Sequence, residues 1–167
     1  MSKLEILAPA GSEEALISAV RSGADAVYLA TTSFGARASA KNFDYEQLKN
    51  AVEFCHKRGV KVYLTMNTLI TDSELTAALN IAKRAYELPV DAIIVQDVGF
   101  ADLLHKSMPA LHLHGSTQMS VHTPQGAKLL YEKNSLICDN SSFDGVKQLR
   151  RSQNVGCRRT NGPRRIF

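Results

Sequence analysis

Residues 111–118, LHLHGSTQ, hold the densest group of side chains able to do chemistry. His112, His114, Ser116 and Gln118 recur at every second position. An extended backbone would set all four on one face and turn Leu111 and Leu113 to the other. Imidazole, hydroxyl and amide groups on one face can move protons or hold a polar substrate. Asp97 would complete a Ser–His–Asp set with Ser116 and His114, the arrangement used for acyl transfer. Two features weigh against that set. HGSTQ lacks the second glycine of the G-x-S-x-G elbow, and Asp97 is equally suited to cap a helix starting near Gly99. The histidines could also be polar filling with satisfied hydrogen bonds. His-x-His binds a metal only with further ligands, and no acidic residue close in sequence supplies one, so no metal site is expected. Asn67 and Gln96 follow short apolar runs, and Arg37 and Asn42 lie further along the loop after the second such run. Arg37, close after Gly35, could grip an anionic substrate through two parallel hydrogen bonds, or could be an ordinary loop charge.

The elements that must position these residues alternate in type. Leu4–Ala8, Ala26–Ala30, Val60–Thr65, Ala92–Val95 and Leu111–His114 read as strands. Between them lie amphipathic helices with recognisable ends. Ser12 caps the first, with Glu13 and Glu14 in its opening turn and an apolar stripe of Ala15, Leu16, Ala19 and Val20. Asp44 with Gln47 and Thr71 with Glu74 resemble capping boxes. Their stripes are Leu48, Ala51, Val52 and Cys55, then Leu75, Ala78, Leu79, Ala82 and Tyr86. Gly23 and Gly59 suit left-handed helix stops. A short helix covers Ala101–Lys106 before Pro109. Thr123 caps a last one, with Pro124 at its first position and Gln125–Glu132 beyond. GADAVYLA, GVKVYLT and VDAIIVQ form a weak repeat. Five strand–helix units in this order imply a parallel sheet with right-handed crossovers, either doubly wound or part of a (β/α)8 barrel. LAPAGS after the first strand is neither a dinucleotide nor a phosphate-loop fingerprint.

The pattern stops near Lys133, and Asn134–Phe167 shows no sixth apolar strand. Residues 133–167 carry eight Lys and Arg against two Asp, a net of +6, so the remainder has 12 basic against 14 acidic residues. The basic character therefore belongs to the tail, which could meet RNA phosphates. The expected division is 1–132, the front of a barrel, and 133–167, an irregular tail from a shifted reading frame or foreign sequence. Eight strands need about 250 residues, so the barrel is expected to be incomplete. The open edges of strands one and five then invite self-association. Cys55, Cys138 and Cys157 include no C-x-x-C pair, and Cys55 falls on an apolar stripe. No leader or membrane span is evident, which suggests a cytoplasmic protein without membrane partners.

LAPAGSEEALISAVRSGADAVYLA, FGARASAKNF, VKVYLTMNTLITDSEL, VDAIIVQDVG and LHLHGSTQMSVHT together resemble the collagenase-like peptidase family U32, from about Leu4 to Glu132. NTLITDSEL and IIVQDVG are most similar to members linked to ribosomal RNA hydroxylation. The resemblance implies a TIM-barrel-like N-terminal domain. It implies bacterial proteins named proteases without agreed catalytic residues, some of which take part in oxygen-independent hydroxylation of RNA bases or ubiquinone precursors. For intact members it also implies prephenate and an iron–sulfur cluster held by cysteines later in the chain. Cys138 and Cys157 do not match that cysteine motif, so no cofactor is expected in this chain, and the chain alone is expected to be inactive. Family strand-end positions match at Arg37, Asn42, Asn67, Gln96, Asp97, Ser116 and Gln118. Two other readings stand beside hydroxylation: a peptide hydrolase, and a non-catalytic RNA-binding module.

Overall fold

Four of the five described α-helices begin where a polar side chain takes up an orphan N–H group. The structure is a computed structural model; it describes residues 5–35 and 42–134, with the backbone of 137–138 and 165–166. Ser12 caps α1 (Glu13–Arg21) by accepting from the Ala15 N–H, and Asp44 with Gln47 forms a full capping box on α2 (Tyr45–His56). α3 (Leu75–Glu87) departs from expectation. Its N-cap is Glu74, whose carboxylate instead accepts from both the hydroxyl and the N–H of Thr71, one turn earlier. These bonds, the hydroxyl first, hold the Glu74 carboxyl below its usual range. The α3 stripe also turns: Ala85 is buried with Ala78 and Ala82, while Tyr86 is exposed. α4 (Val98–Ser107) starts three residues before the expected Ala101, because Asp97 caps it. α5 (Pro124–Asn134) opens at Pro124, where Thr123 accepts from the Gly126 N–H.

The strands are β1 (Ile6–Pro9), β2 (Ala26–Ala30), β3 (Lys61–Met66), β4 (Ala92–Val95), β5 (Leu113–Gly115), β6 (Ile137–Cys138) and β7 (Arg165–Ile166). They form one sheet in the order β6-β5-β4-β3-β2-β1-β7, and every pairing is parallel. Sequential parallel neighbours joined by helices are the wall of a (β/α) barrel, not a doubly wound sheet with a reversal of order. Two expectations are corrected. A sixth and a seventh strand do exist, and they lie on the edges of β5 and β1 that were expected to be open. Neither was legible, because a two-residue strand has no alternation to read.

The weak repeat has a structural meaning. AVYLA and KVYLT lie side by side with Val27 beside Val62 and Tyr28 beside Tyr63. Gly23 (φ +87°) and Gly59 (φ +70°) make the left-handed stops that release each strand. The aspartate entering β2 and the one entering β4 clamp the preceding strand: Asp25 accepts from the Ile6 N–H at 3.0 Å and Asp91 from the Val62 N–H at 2.8 Å. The main core lies between sheet and helices, with Val27, Leu29, Val62, Leu64, Met66, Ile93, Val95 and Leu113 facing Leu16, Leu48, Cys55, Phe100 and Leu104. Each fully buried large side chain contributes on the order of 1.5–3 kcal/mol. The opposite, inner face carries a smaller cluster of Leu7, Ala26, Tyr63 and Ala92, with Tyr28 and Ile94 against it.

Candidate functional site

Strand alternation divides the polar residues cleanly. On β5, Leu113 enters the helix-side core while His114, 4% exposed, belongs to the inner face. The His114 ring lies 5.0 Å from that of Tyr63 on β3, tilted by 48°. In register, Ala30, Thr65, Ile94 and His114 form one level across β2 to β5. Thr65 donates its hydroxyl to the Leu29 carbonyl at 3.0 Å. Two residues further along come Asn67, Gln96 and Ser116, at the carboxyl ends where parallel α/β proteins place their chemistry.

The expected extended run does not continue to Gln118. β5 ends at Gly115, Ser116 accepts from the Gln118 N–H at 3.3 Å, and Thr117–Met119 makes a single 3-10 turn that leaves Gln118 exposed. His112 precedes β5 and is also exposed. Asp97 is fixed twice. One carboxylate oxygen accepts from the Phe100 N–H at 2.9 Å and the other from the Ile70 N–H at 3.3 Å. It thereby ties the loop after β3 to the start of α4. Asn42 sits next to Phe43, which bridges back to Thr31 at the end of β2. Arg37 lies outside the described residues.

Sequence reasoning missed the turn that leads into that loop. Phe34 adopts a left-handed backbone (φ 63°), rare for an aromatic residue, and its carbonyl accepts from the Thr68 hydroxyl at 3.3 Å. A Cβ on Gly35 would stand 2.7 Å from the Ala30 Cβ. Phe34 and Gly35 thus press the loop onto the strand ends, and the glycine in FGARAS was the available signal. A cleft of about 420 Å3 lies elsewhere, in the helix layer between α1 and α2, lined by Glu13, Leu16, Phe43, Gln47 and Phe54 among others. It contains none of the strand-end residues.

The described residues do not fit an iron–sulfur cluster. Among them, no group of three or more His, Cys, Asp or Glu could hold a metal. Cys55 is buried on α2, and burial pushes its thiol up to about 11, which opposes the thiolate that a metal requires. The Cys138 side chain and Cys157 lie outside the described residues. No helix among the described residues is long and apolar enough to cross a membrane.

A parallel sheet sheathed in helices, with polar groups at its strand ends, defines an α/β protein of the TIM-barrel type. The solved U32 peptidase Mk0906 matches with a TM-score of 0.69 at 19% identity, over 93% of this chain and 67% of that one. A DHDPS from Cyanidioschyzon merolae shares the fold at a TM-score of 0.63 and 12% identity, over 89% and 60%. The chain belongs to Peptidase family U32, whose model matches residues 11–154. It is 39% identical over 128 residues to the Escherichia coli protein named 23S rRNA 5-hydroxycytidine C2501 synthase, covering 77% of this chain and 19% of that protein. It is 35% identical over 129 residues to a Porphyromonas gingivalis protein named collagenase, covering 77% and 31%. It is 36% identical over 119 residues to tRNA hydroxylation protein P1 of Bacillus subtilis, covering 71% and 28%. The chain thus spans about a third or less of these relatives' lengths.

Proposed function

We propose that this chain forms the front wall of a barrel whose whole protein takes part in hydroxylating a base of structured RNA. The observation that carries this is the likeness, at 39% and 36% identity, to proteins named for rRNA and tRNA hydroxylation. It fits the polar strand ends. Asn67, Gln96 and Ser116, with Gln118 and Asn42 on the loops that follow, offer amides and a hydroxyl, and Arg37, outside the described residues, is the expected guanidinium of the set. Such groups can read the polar edge of a base and hold an anionic co-substrate. His114 forms the floor beneath them. The prephenate and the iron–sulfur cluster belong to this proposal for the whole protein, and the described residues do not supply the cluster. The 167-residue chain alone is then inactive.

Peptide hydrolysis is the second reading, favoured by the 35% identity to a protein named collagenase. It would use Ser116, His114 and Asp97. The two backbone bonds already held by Asp97 support the cap role instead. The experiment is complementation in the native host with Asn67→Ala, Gln96→Ala and Ser116→Ala variants, read as hydroxylated nucleosides in rRNA and tRNA. Loss of hydroxylation in the Asn67 and Gln96 variants is expected. Full hydroxylation in all three, with peptide hydrolysis lost in the Ser116 variant, would transfer the site to the protease reading.

A further inference from the structure

Three inner-face side chains on alternate strands form a connected line. Glu5, just before β1, accepts from the Tyr63 hydroxyl at 2.7 Å and from the Lys61 ammonium at 3.0 Å. Tyr63 lies on β3, and its ring meets that of His114 on β5. Glu5 is 8% and Tyr63 2% exposed, so the carboxylate is held where an unpaired charge would be costly. Each intervening strand also carries an alanine on the inner face. On β2, Ala26 lies in register between Leu7 and Lys61, and on β4, Ala92 lies beside Tyr63. Both alanines are fully buried on the inner face. Barrel interiors fill in layers contributed by alternate strands. Here the odd strands carry the polar line, and the even strands set Tyr28 beside Tyr63 and Ile94 beside His114.

We propose that Tyr63, anchored by Glu5, is a positioning residue for His114, fixing the imidazole beneath the strand-end site. The phenol cannot rotate or slide while its hydroxyl is bonded to the carboxylate, so its ring is a fixed wall for the imidazole. The bond also polarises the phenol ring against which the imidazole lies. Glu5 precedes β1 and so stands at the opposite end of the strands from Asn67, Gln96 and Ser116. The assignment rests on the reading above only in taking His114 as the floor of the working site.

The test uses two readouts. Imidazole resonances of His114 are recorded by NMR in the 167-residue chain, assigned with His114→Gln, for Tyr63→Phe, Glu5→Gln and Tyr63→Leu. Hydroxylation by the full gene product is measured for the same variants. The expected result is that His114 resonances move in Tyr63→Phe and Glu5→Gln, while those of His56 and His105 stay. Turnover should fall about tenfold to a hundredfold without a matching change in KM, the scale at which small misplacements act. Should Tyr63→Leu fail to fold, Tyr63→Phe keeps the ring and carries the test. Unchanged His114 resonances in Tyr63→Phe and Glu5→Gln would overturn the proposal. Moved resonances with undiminished turnover would overturn it as well. If the resonances move but the wild-type protein hydroxylates no RNA, the functional reading fails and the positioning of His114 stands.

Discussion

Asp97 shows how one carboxylate can be read two ways until its partners are known. As a helix cap with a second bond to the Ile70 N–H, it satisfies two backbone donors on two elements. Asp97→Ala should therefore cost about 1–2 kcal/mol in denaturant titration, with Asp97→Asn closer to wild type. A catalytic aspartate would behave differently, with unchanged stability and lost activity. Cys55 gives a second prediction at this scale. Burial pushes its thiol from 9.0 to about 11, so between those values the folded state keeps a proton that the unfolded state has released. Its contribution to stability is full below pH 9.0 and is lost as pH rises towards 11. Stability measured from pH 8 to 11 should fall less in Cys55→Ala than in wild type, and Cys55, located by peptide mapping, should resist thiol reagents at neutral pH until the protein unfolds.

The elements most legible in the sequence were those with a local physical signature. β2 and β4 match their expected bounds because AVYLA and AIIV are short apolar runs between a helix stop and a polar residue. The Asp44–Gln47 box and the stops at Gly23 and Gly59 follow from capping and from left-handed backbone. Legibility failed where tertiary contacts decide. Glu74 turned back to Thr71 rather than capping jointly with it, and β6 and β7 exist only through pairing with β5 and β1. In the site, His114 was foreseen on the inner face, but its partner Tyr63 was not. That contact joins residues 51 apart in sequence, on strands that are not neighbours in the sheet. The turn at Phe34 and Gly35 was also missed. Gly35→Ala should destabilise the protein by about 1–3 kcal/mol, because the added methyl meets Ala30 at 2.7 Å. Thermal unfolding checks this, and a neutral outcome would mean that the loop does not press on the strand ends.

At the scale of the molecule, a continuous parallel wall presents its polar residues at two places: the strand ends, and the line from Glu5 through Tyr63 to His114. The wall is common to many barrel proteins, so the fold does not choose a reaction. The choice between RNA hydroxylation and peptide hydrolysis rests on the relatives and on the occupied state of Asp97. The most direct measurement is nucleoside mass spectrometry of rRNA and tRNA from the native host with and without this gene. The account predicts that at least one hydroxylated pyrimidine nucleoside disappears on deletion and returns with the full gene. An unchanged nucleoside profile, together with a peptide-hydrolysing activity that disappears on deletion, would contradict it.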